Sequence, residues 1–244
     1  MRRKLFEWQG VTIWSYPAML YVGLVAGVVV GNVAAHATNI NAFRVFVATI
    51  LLITVALLGA RLLYVVSNWN LYRHDLARVW NRNEGGFAML GGLPLALLVS
   101  VPLLAAFQLS FGGFWDVTAF TILVGMAITR IGCLLNGCCS GRASQSWIGV
   151  NLPNHQGVWK RRIPTQCLEA AWAVVLLLAA AATWRWFPFP GALFLGVMAG
   201  YGAGRLILES TREQSRPGGI TAGHAISAVM VVSALVILVV MWPR

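Results

Sequence analysis

A chain of 244 residues that is 59% hydrophobic, only 10% charged and has a mean hydropathy of +0.74 is excluded from the water-soluble globular class, in which about a quarter of residues carry charge. Its net charge of +11 is dispersed over short loops between apolar runs, which excludes a nucleic-acid-binding face. What remains is a single integral membrane domain over residues 1–244, all-α, a polytopic bundle of about seven transmembrane helices.

The apolar runs each approach the roughly 20 residues a span requires. They fall at 17–35, 43–66, 86–109, 115–137, 165–187, 189–209 and 220–242. The opening MRRKLFEW followed by an apolar run and Ala35-His36-Ala37 has the outline of a cleaved signal. The run is too long for a signal-peptide core and further spans follow, so a retained first helix is expected. Gly23, Gly27 and Gly31 recur every four residues in that helix, a spacing that lets helices approach closely in lipid.

After the second run, residues 67–85 (SNWNLYRHDLARVWNRNEG) interleave aromatics with arginines and predict an amphipathic surface segment. The third run opens with GGFAMLGGL, residues 85–93, whose bare backbone amides at Gly91 and Gly92 can approach a headgroup closely. The fourth run ends in TRIGCLLNGCCSGR, residues 129–142. Arg130 falls inside the span, where an ionisable residue is costly and a functional candidate by default. Cys133 and Gly137 follow it on the same helical face.

Residues 138–164 form the longest polar stretch. WIGVNL and GVWKRR flank the turn-like PNHQG and predict a short strand pair. With the segment after the second run, this loop predicts a small extramembrane head. In the sixth run Gly196, Gly200 and Gly204 repeat the glycine spacing. Tyr201, Arg205 and Glu209 stand at i, i+4 and i+8, with Arg212 at i+11, so one face carries a phenol, guanidinium groups and a carboxylate. Such a face either locks helices through an internal ion pair or binds an anionic substrate. Two intramembrane arginines near one end of the bundle point to a phosphate clamp, because guanidinium presents a planar bidentate fork.

The cysteines leave four readings open: a metal site, a disulfide, a reactive thiol or small apolar packing. Cys133, Cys138 and Cys139 lack the usual paired C-x2-C spacing, and with His155 and Cys167 they make a poor zinc pattern on spacing alone. Cys133 and Cys138 are the candidate reactive thiols, since neighbouring arginines favour a thiolate. No metal and no cofactor is expected from these motifs.

Taken in order, the motifs resemble the bacterial prolipoprotein diacylglyceryl transferases over nearly the whole chain. Ser15-Tyr16-Pro17, GGFAMLGGL, TRIGCLLNGCCSG, PTQCLEA, YGAGRLILESTRE and GGITAGHAISAVM are each similar to one of that family's motifs. The resemblance implies transfer of a diacylglyceryl group from phosphatidylglycerol to the thiol of a lipobox cysteine in a prolipoprotein, in the bacterial cytoplasmic (inner) membrane. By that resemblance Arg130, Arg205, Glu209 and Tyr201 are catalytic, and Tyr16, Asn136, Gly141, Gly91 and Gly92 line the substrate site. The chain departs from the pattern at Leu90, where relatives often carry His or Tyr. It departs again at Cys133, where they carry Asn, at Cys138, where they carry Glu, and at His224, where they carry Gln. His224 and Cys138, the latter as a thiolate, are therefore the two candidate replacement bases. The resemblance implies an N-terminus and a signature loop outside the cytoplasm. Counting Arg2, Arg3, Lys4, Arg73, Arg78, Arg82, Arg142, Lys160, Arg161, Arg162, Arg212 and Arg216 on one set of loops argues the reverse by the positive-inside rule. Two other readings stay open: a paralog that acts on another acceptor or binds lipid without turnover, and a membrane thiol–disulfide redox protein.

Overall fold

The computed structural model describes residues 4–8, 11–73, 89–154, 156–213 and 222–242. In chain order they form a hairpin of β1 (Lys4–Trp8) and β2 (Val11–Trp14), then α1 (Ser15–Ala37), α2 (Ala42–Ser67), the single turn α3 (Trp69–Tyr72), α4 (Met89–Ala106) and α5 (Phe111–Asn136). A second hairpin, β3 (Val150–Pro153) with β4 (Trp159–Arg162), follows. The chain ends with α6 (Thr165–Thr183), α7 (Ala192–Glu209) and α8 (Ala222–Met241). Both hairpins are antiparallel. The chain is a multi-pass membrane protein: six of the described helices are long and apolar enough to cross a bilayer, and a shorter apolar stretch covers Gly92–Ala106.

The third apolar run ends earlier than expected. Its described helix ends at Ala106 rather than 109, because the backbone turns at Gln108, whose φ of 55° is left-handed. The predicted amphipathic segment at 67–85 is described only through Arg73, where α3 occupies its start, and His155 also lies outside the described residues. The predicted 147–162 strand pair is present as β3–β4. The N-terminal hairpin, absent from the sequence reading, precedes α1 directly.

The chain divides into two compact units, 1–34 with 115–244, and 35–114. In the smaller unit α2 packs on α4, and Gly92 allows it: a Cβ there would sit 2.7 Å from the Ala56 carbonyl oxygen. Asn41 caps α2 by accepting from the Arg44 amide at 3.0 Å, and Arg44 Nη1 donates to the Phe107 carbonyl and Gln108 Oε1, each at 3.1 Å. Arg61 lies over the rings of Tyr64 and buried Tyr72, 5.7 and 5.8 Å from their centroids.

The larger unit is built on close helix approach. Cβ atoms at Gly23, Gly27 and Gly31 of α1 would fall 2.9, 2.5 and 2.0 Å from Gly125 O, Thr121 O and Thr121 Oγ1 of α5, so the first glycine stripe is a packing seam. At Gly204 a Cβ would lie 2.0 Å from the indole nitrogen of Trp172 on α6, and at Gly202 2.8 Å from Val231 on α8. Buried Leu123, Ala173, Ala180 and Leu193 of α5, α6 and α7 form a core beneath these seams, while Val25, Val29, Leu178, Ile207, Val229 and Val240 point outward, as a lipid solvent requires. At one end of this unit Asp116 caps α7 from α5. Its two carboxylate oxygens accept the Gly191 and Phe194 amides at 2.7 and 2.8 Å, placing negative charge on a positive helix N-terminus.

Candidate active site

At the opposite end of the larger unit, α5 and α7 finish and α6 and α8 begin. Helix α5 stops because Gly137 takes a φ of +76°. The Gly137 amide then bonds the Leu134 carbonyl and the Cys138 amide bonds the Cys133 carbonyl, both at 3.2 Å. This paired closure is the Schellman arrangement, which satisfies carbonyls a helix end would otherwise leave open. It folds Cys138 back over the last turn of α5 and holds Arg130 one turn below.

The returning chain is clamped on three sides. The Gly141 amide donates to Ile163 O at 3.1 Å, the Arg142 amide to Thr211 O at 2.8 Å and the Ile163 amide to Arg142 O at 3.2 Å. Only glycine fits at 141, since a Cβ would stand 2.4 Å from Ile163 O and 2.5 Å from Thr165 Oγ1. Arg162, 2% exposed, extends from β4 beneath this loop. Its Nη1 reaches Glu213 at 2.8 Å and the Gly141 carbonyl at 3.4 Å. Gln166, 1% exposed, donates to the Cys138 carbonyl at 2.7 Å. Thr165 and Thr211 share a hydrogen bond of 2.9 Å.

Against this scaffold three guanidinium groups converge on two carboxylates. Glu169 of α6, its side chain 3% exposed, takes Arg130 Nε at 2.5 Å, Arg205 Nη1 at 2.6 Å and Arg212 Nη2 at 3.2 Å. Glu209 pairs with Arg205 Nη2 at 3.1 Å and Arg212 Nε at 3.7 Å. The three arginine side chains keep 17–21% exposure. Three cations less two anions leave the cluster at +1. Desolvation of such a network is tolerable only because each charge meets an opposite one.

Arg205 and Glu209, spaced i and i+4, pair, and Arg130 and Arg205 both reach Glu169. The hub, however, is Glu169 of PTQCLEA, a residue to which spacing alone gives no role. Its signal was available: a glutamate in an apolar span opposite an excess of intramembrane arginine. Arg212 completes the set. The start of α8 abuts it, because a Cβ at Gly223 would fall 2.5 Å from Glu209 Oε1. His224 follows on the first turn, half-buried. Tyr201 is within electrostatic reach of Arg130. Tyr16 lies within the same reach of Arg130 and of all three clustered cysteines, its backbone close to where a Cβ on Gly132 would stand. Asn136 is within hydrogen-bonding reach of the Cys138 thiol. Gly91 and Gly92 stand on α4 in the other unit.

All four cysteines are free thiols. Cys133, Cys138 and Cys139 gather with their sulfurs within 4.8 Å of one another, which draws in Cys139, not named among the candidate reactive thiols. Hydrogen bonds from Cys133 and Cys138, reinforced by Arg212 and Arg130, hold the Cys139 thiol well below the usual thiol range. Cys167 is exposed on α6.

The family model described as prolipoprotein diacylglyceryl transferase matches residues 3–240. The chain belongs to this family. Curated relatives named phosphatidylglycerol–prolipoprotein diacylglyceryl transferase from Streptococcus pyogenes serotypes M5 (strain Manfredo), M49 (strain NZ131) and M1 are each 28% identical over 239 residues, covering 94% of this chain and 91% of theirs. Membership in the diacylglyceryl transferase family agrees with the order of motifs along the chain. The arginine–glutamate cluster is assembled from three of them: the signature that ends α5, the glutamine–glutamate motif that opens α6 and the tyrosine–arginine–glutamate face of α7.

Proposed function

We propose that this chain transfers the diacylglyceryl group of phosphatidylglycerol to the thiol of a lipobox cysteine in a prolipoprotein, the reaction for which its streptococcal relatives are named. The observation that carries this reading is the convergence of Arg130, Arg205 and Arg212 on Glu169 and Glu209 at the end of a membrane-spanning bundle.

The reaction is a displacement at a glyceryl carbon. A carbon–sulfur bond forms, the carbon–oxygen bond to phosphate breaks, and glycerol phosphate leaves with the bonding pair. Negative charge grows on the phosphate as that bond opens. Preorganised cations beside it lower the barrier, and loss of one such donor typically costs 10²–10³-fold in rate. The cluster's net charge of +1 is matched by one phosphodiester, and guanidinium forks suit its oxygens. Glu169 and Glu209 hold the forks in register before the lipid arrives. Tyr201 and Tyr16 flank the headgroup position, and Asn136 and Gly141 keep the loop that frames it. In this reading His224, next to the Gly223 that meets Glu209, accepts the acceptor's proton.

The arginine end is assigned to the outer side of the bacterial cytoplasmic membrane, and the basic loops there serve the anionic headgroup. Labelling of Trp147→Cys, at a position 91% exposed, with a membrane-impermeant maleimide in intact cells tests this orientation in a background where the exposed Cys139 and Cys167 are serine; absence of label in intact cells, with label after lysis, overturns it. For the reaction itself, purified protein is incubated with labelled phosphatidylglycerol and a lipobox peptide, and the product is read by mass spectrometry. A serine-for-cysteine peptide is the control. Arg130→Ala and Arg205→Ala are each expected to reduce transfer at least about 100-fold. Full activity in both overturns the assignment.

A further inference from the structure

Cys133, Cys138 and Cys139 are, among the described residues, the one group of three or more potential metal ligands, and their sulfurs lie within 4.8 Å of one another. Three sulfurs bound about 2.3 Å from one ion stand about 3.8–4.0 Å apart. The cluster therefore closes on an ion through side-chain adjustments of about 1 Å or less.

The backbone is shaped for this. The Schellman closure at Gly137 superposes Cys138 on Cys133, and Cys139 adopts a φ of 58°. That left-handed conformation is unfavourable for a non-glycine residue and marks a place where the surroundings impose geometry. It brings three thiols together from a C-x4-C-C spacing that looks unsuitable when read linearly. Charge also agrees. Arg130 Nη1 lies 3.9 Å from the Cys133 sulfur. Three thiolates and a divalent ion sum to −1, opposite to the +1 of the arginine–glutamate cluster beside them. Soft thiolate ligands select zinc over hard cations.

We propose that these three thiols bind a zinc ion with an open fourth position, and that this position receives the thiol of the acceptor cysteine. The second half rests on the diacylglyceryl transfer reading above. Three protein ligands and one open position is the catalytic rather than the structural form of a zinc site. A thiol that coordinates zinc is deprotonated, its proton passing to His224, the base in the transfer reading. The bound thiolate then attacks the glyceryl carbon, the carbon–oxygen bond breaks toward phosphate, and the uncharged thioether, a weaker ligand, departs. The chain would thereby activate its acceptor where its third-span motif carries Leu90 and its signature carries Cys138.

The test begins with chelator-stripped, reduced full-length protein in detergent. Zinc sulfate is added and bound metal measured after dialysis. One equivalent per chain is expected, retained in Cys167→Ser and in Arg205→Ala and lost in Cys133→Ser, Cys138→Ser and Cys139→Ser. Less than about a tenth of an equivalent on the unsubstituted protein, or undiminished binding in the triple serine variant, overturns the site. Cobalt(II) replacing zinc supplies a thiolate-to-metal absorbance band. That band is expected to shift with a lipobox cysteine peptide and not with its serine counterpart; an identical response to both overturns acceptor coordination. Arg205→Ala separates the two readings, since it is expected to lose transfer while keeping metal and the peptide-induced shift. If the cysteine peptide shifts the band but the unsubstituted protein makes no thioether from phosphatidylglycerol, the transfer reading fails and the metal site stands.

Discussion

Replacing Glu169 by glutamine removes the charge at the centre of the cluster while preserving its shape. In the native site its carboxylate faces Arg130, Arg205 and Arg212 at 2.5, 2.6 and 3.2 Å, with its side chain 3% exposed. The change raises the cluster from +1 to +2 and turns an amide NH2 toward guanidinium groups that can only donate. Removing one partner of a buried ion pair typically costs about 3–5 kcal/mol. For a chain of this size each kcal/mol lowers the melting temperature by about 2–4 °C, so a fall of about 6–20 °C is expected. Thermal unfolding in detergent micelles, followed by tryptophan fluorescence, measures it. Adding Arg130→Gln returns the cluster to +1, and the double variant is expected to recover at least half of the lost melting temperature. A shift below about 2 °C for Glu169→Gln, or a double variant less stable than the sum of the two singles, refutes the view that Glu169 is the hub.

Gly141→Ala forces a Cβ to within 2.4 Å of the Ile163 carbonyl oxygen. It is expected to cost about 1–3 kcal/mol and to lower transfer by displacing the cysteine loop; an unchanged melting temperature counts against the clamp. Asp116→Asn weakens the cap on α7, held by bonds of 2.7 and 2.8 Å. A loss of about 1 kcal/mol with transfer retained is expected, and a variant that keeps its melting temperature yet loses transfer contradicts a purely structural role. Gly204→Ala places a methyl 2.0 Å from Trp172 Nε1. It must break the 3.1 Å bond from that indole to the Gly200 carbonyl. A melting-temperature drop together with a red-shifted tryptophan emission is the expected readout, and neither change would deny that α6 and α7 meet there.

Much of this molecule was legible because lipid imposes simple rules. A run of about 20 apolar residues in a bilayer has few options besides a helix. The expected runs at 17–35, 43–66 and 115–137 accordingly became α1, α2 and α5 within a few residues. The strand pair in the polar loop followed from alternation around a turn. The N-terminal hairpin did not, because its strands of five and four residues are too short for a periodic signal. The shortened end of α4 depends on a left-handed turn at Gln108, a conformation its residue type does not announce.

The sequence by itself determined the class of protein, the face on which Arg205 and Glu209 share a helix, and the order of motifs that marks the family. Those are consequences of local periodicity and composition. Which charge holds which was decided only by tertiary structure. Glu169 sits 39 positions after Arg130 and 36 before Arg205, and only the packing of α5, α6 and α7 makes it their common partner. The cysteines show the same division. Their spacing argued against a metal site, yet one glycine of positive φ closes α5 so that three sulfurs meet beside the arginines, because a helix terminus folds the chain back through space in a way that linear spacing does not encode.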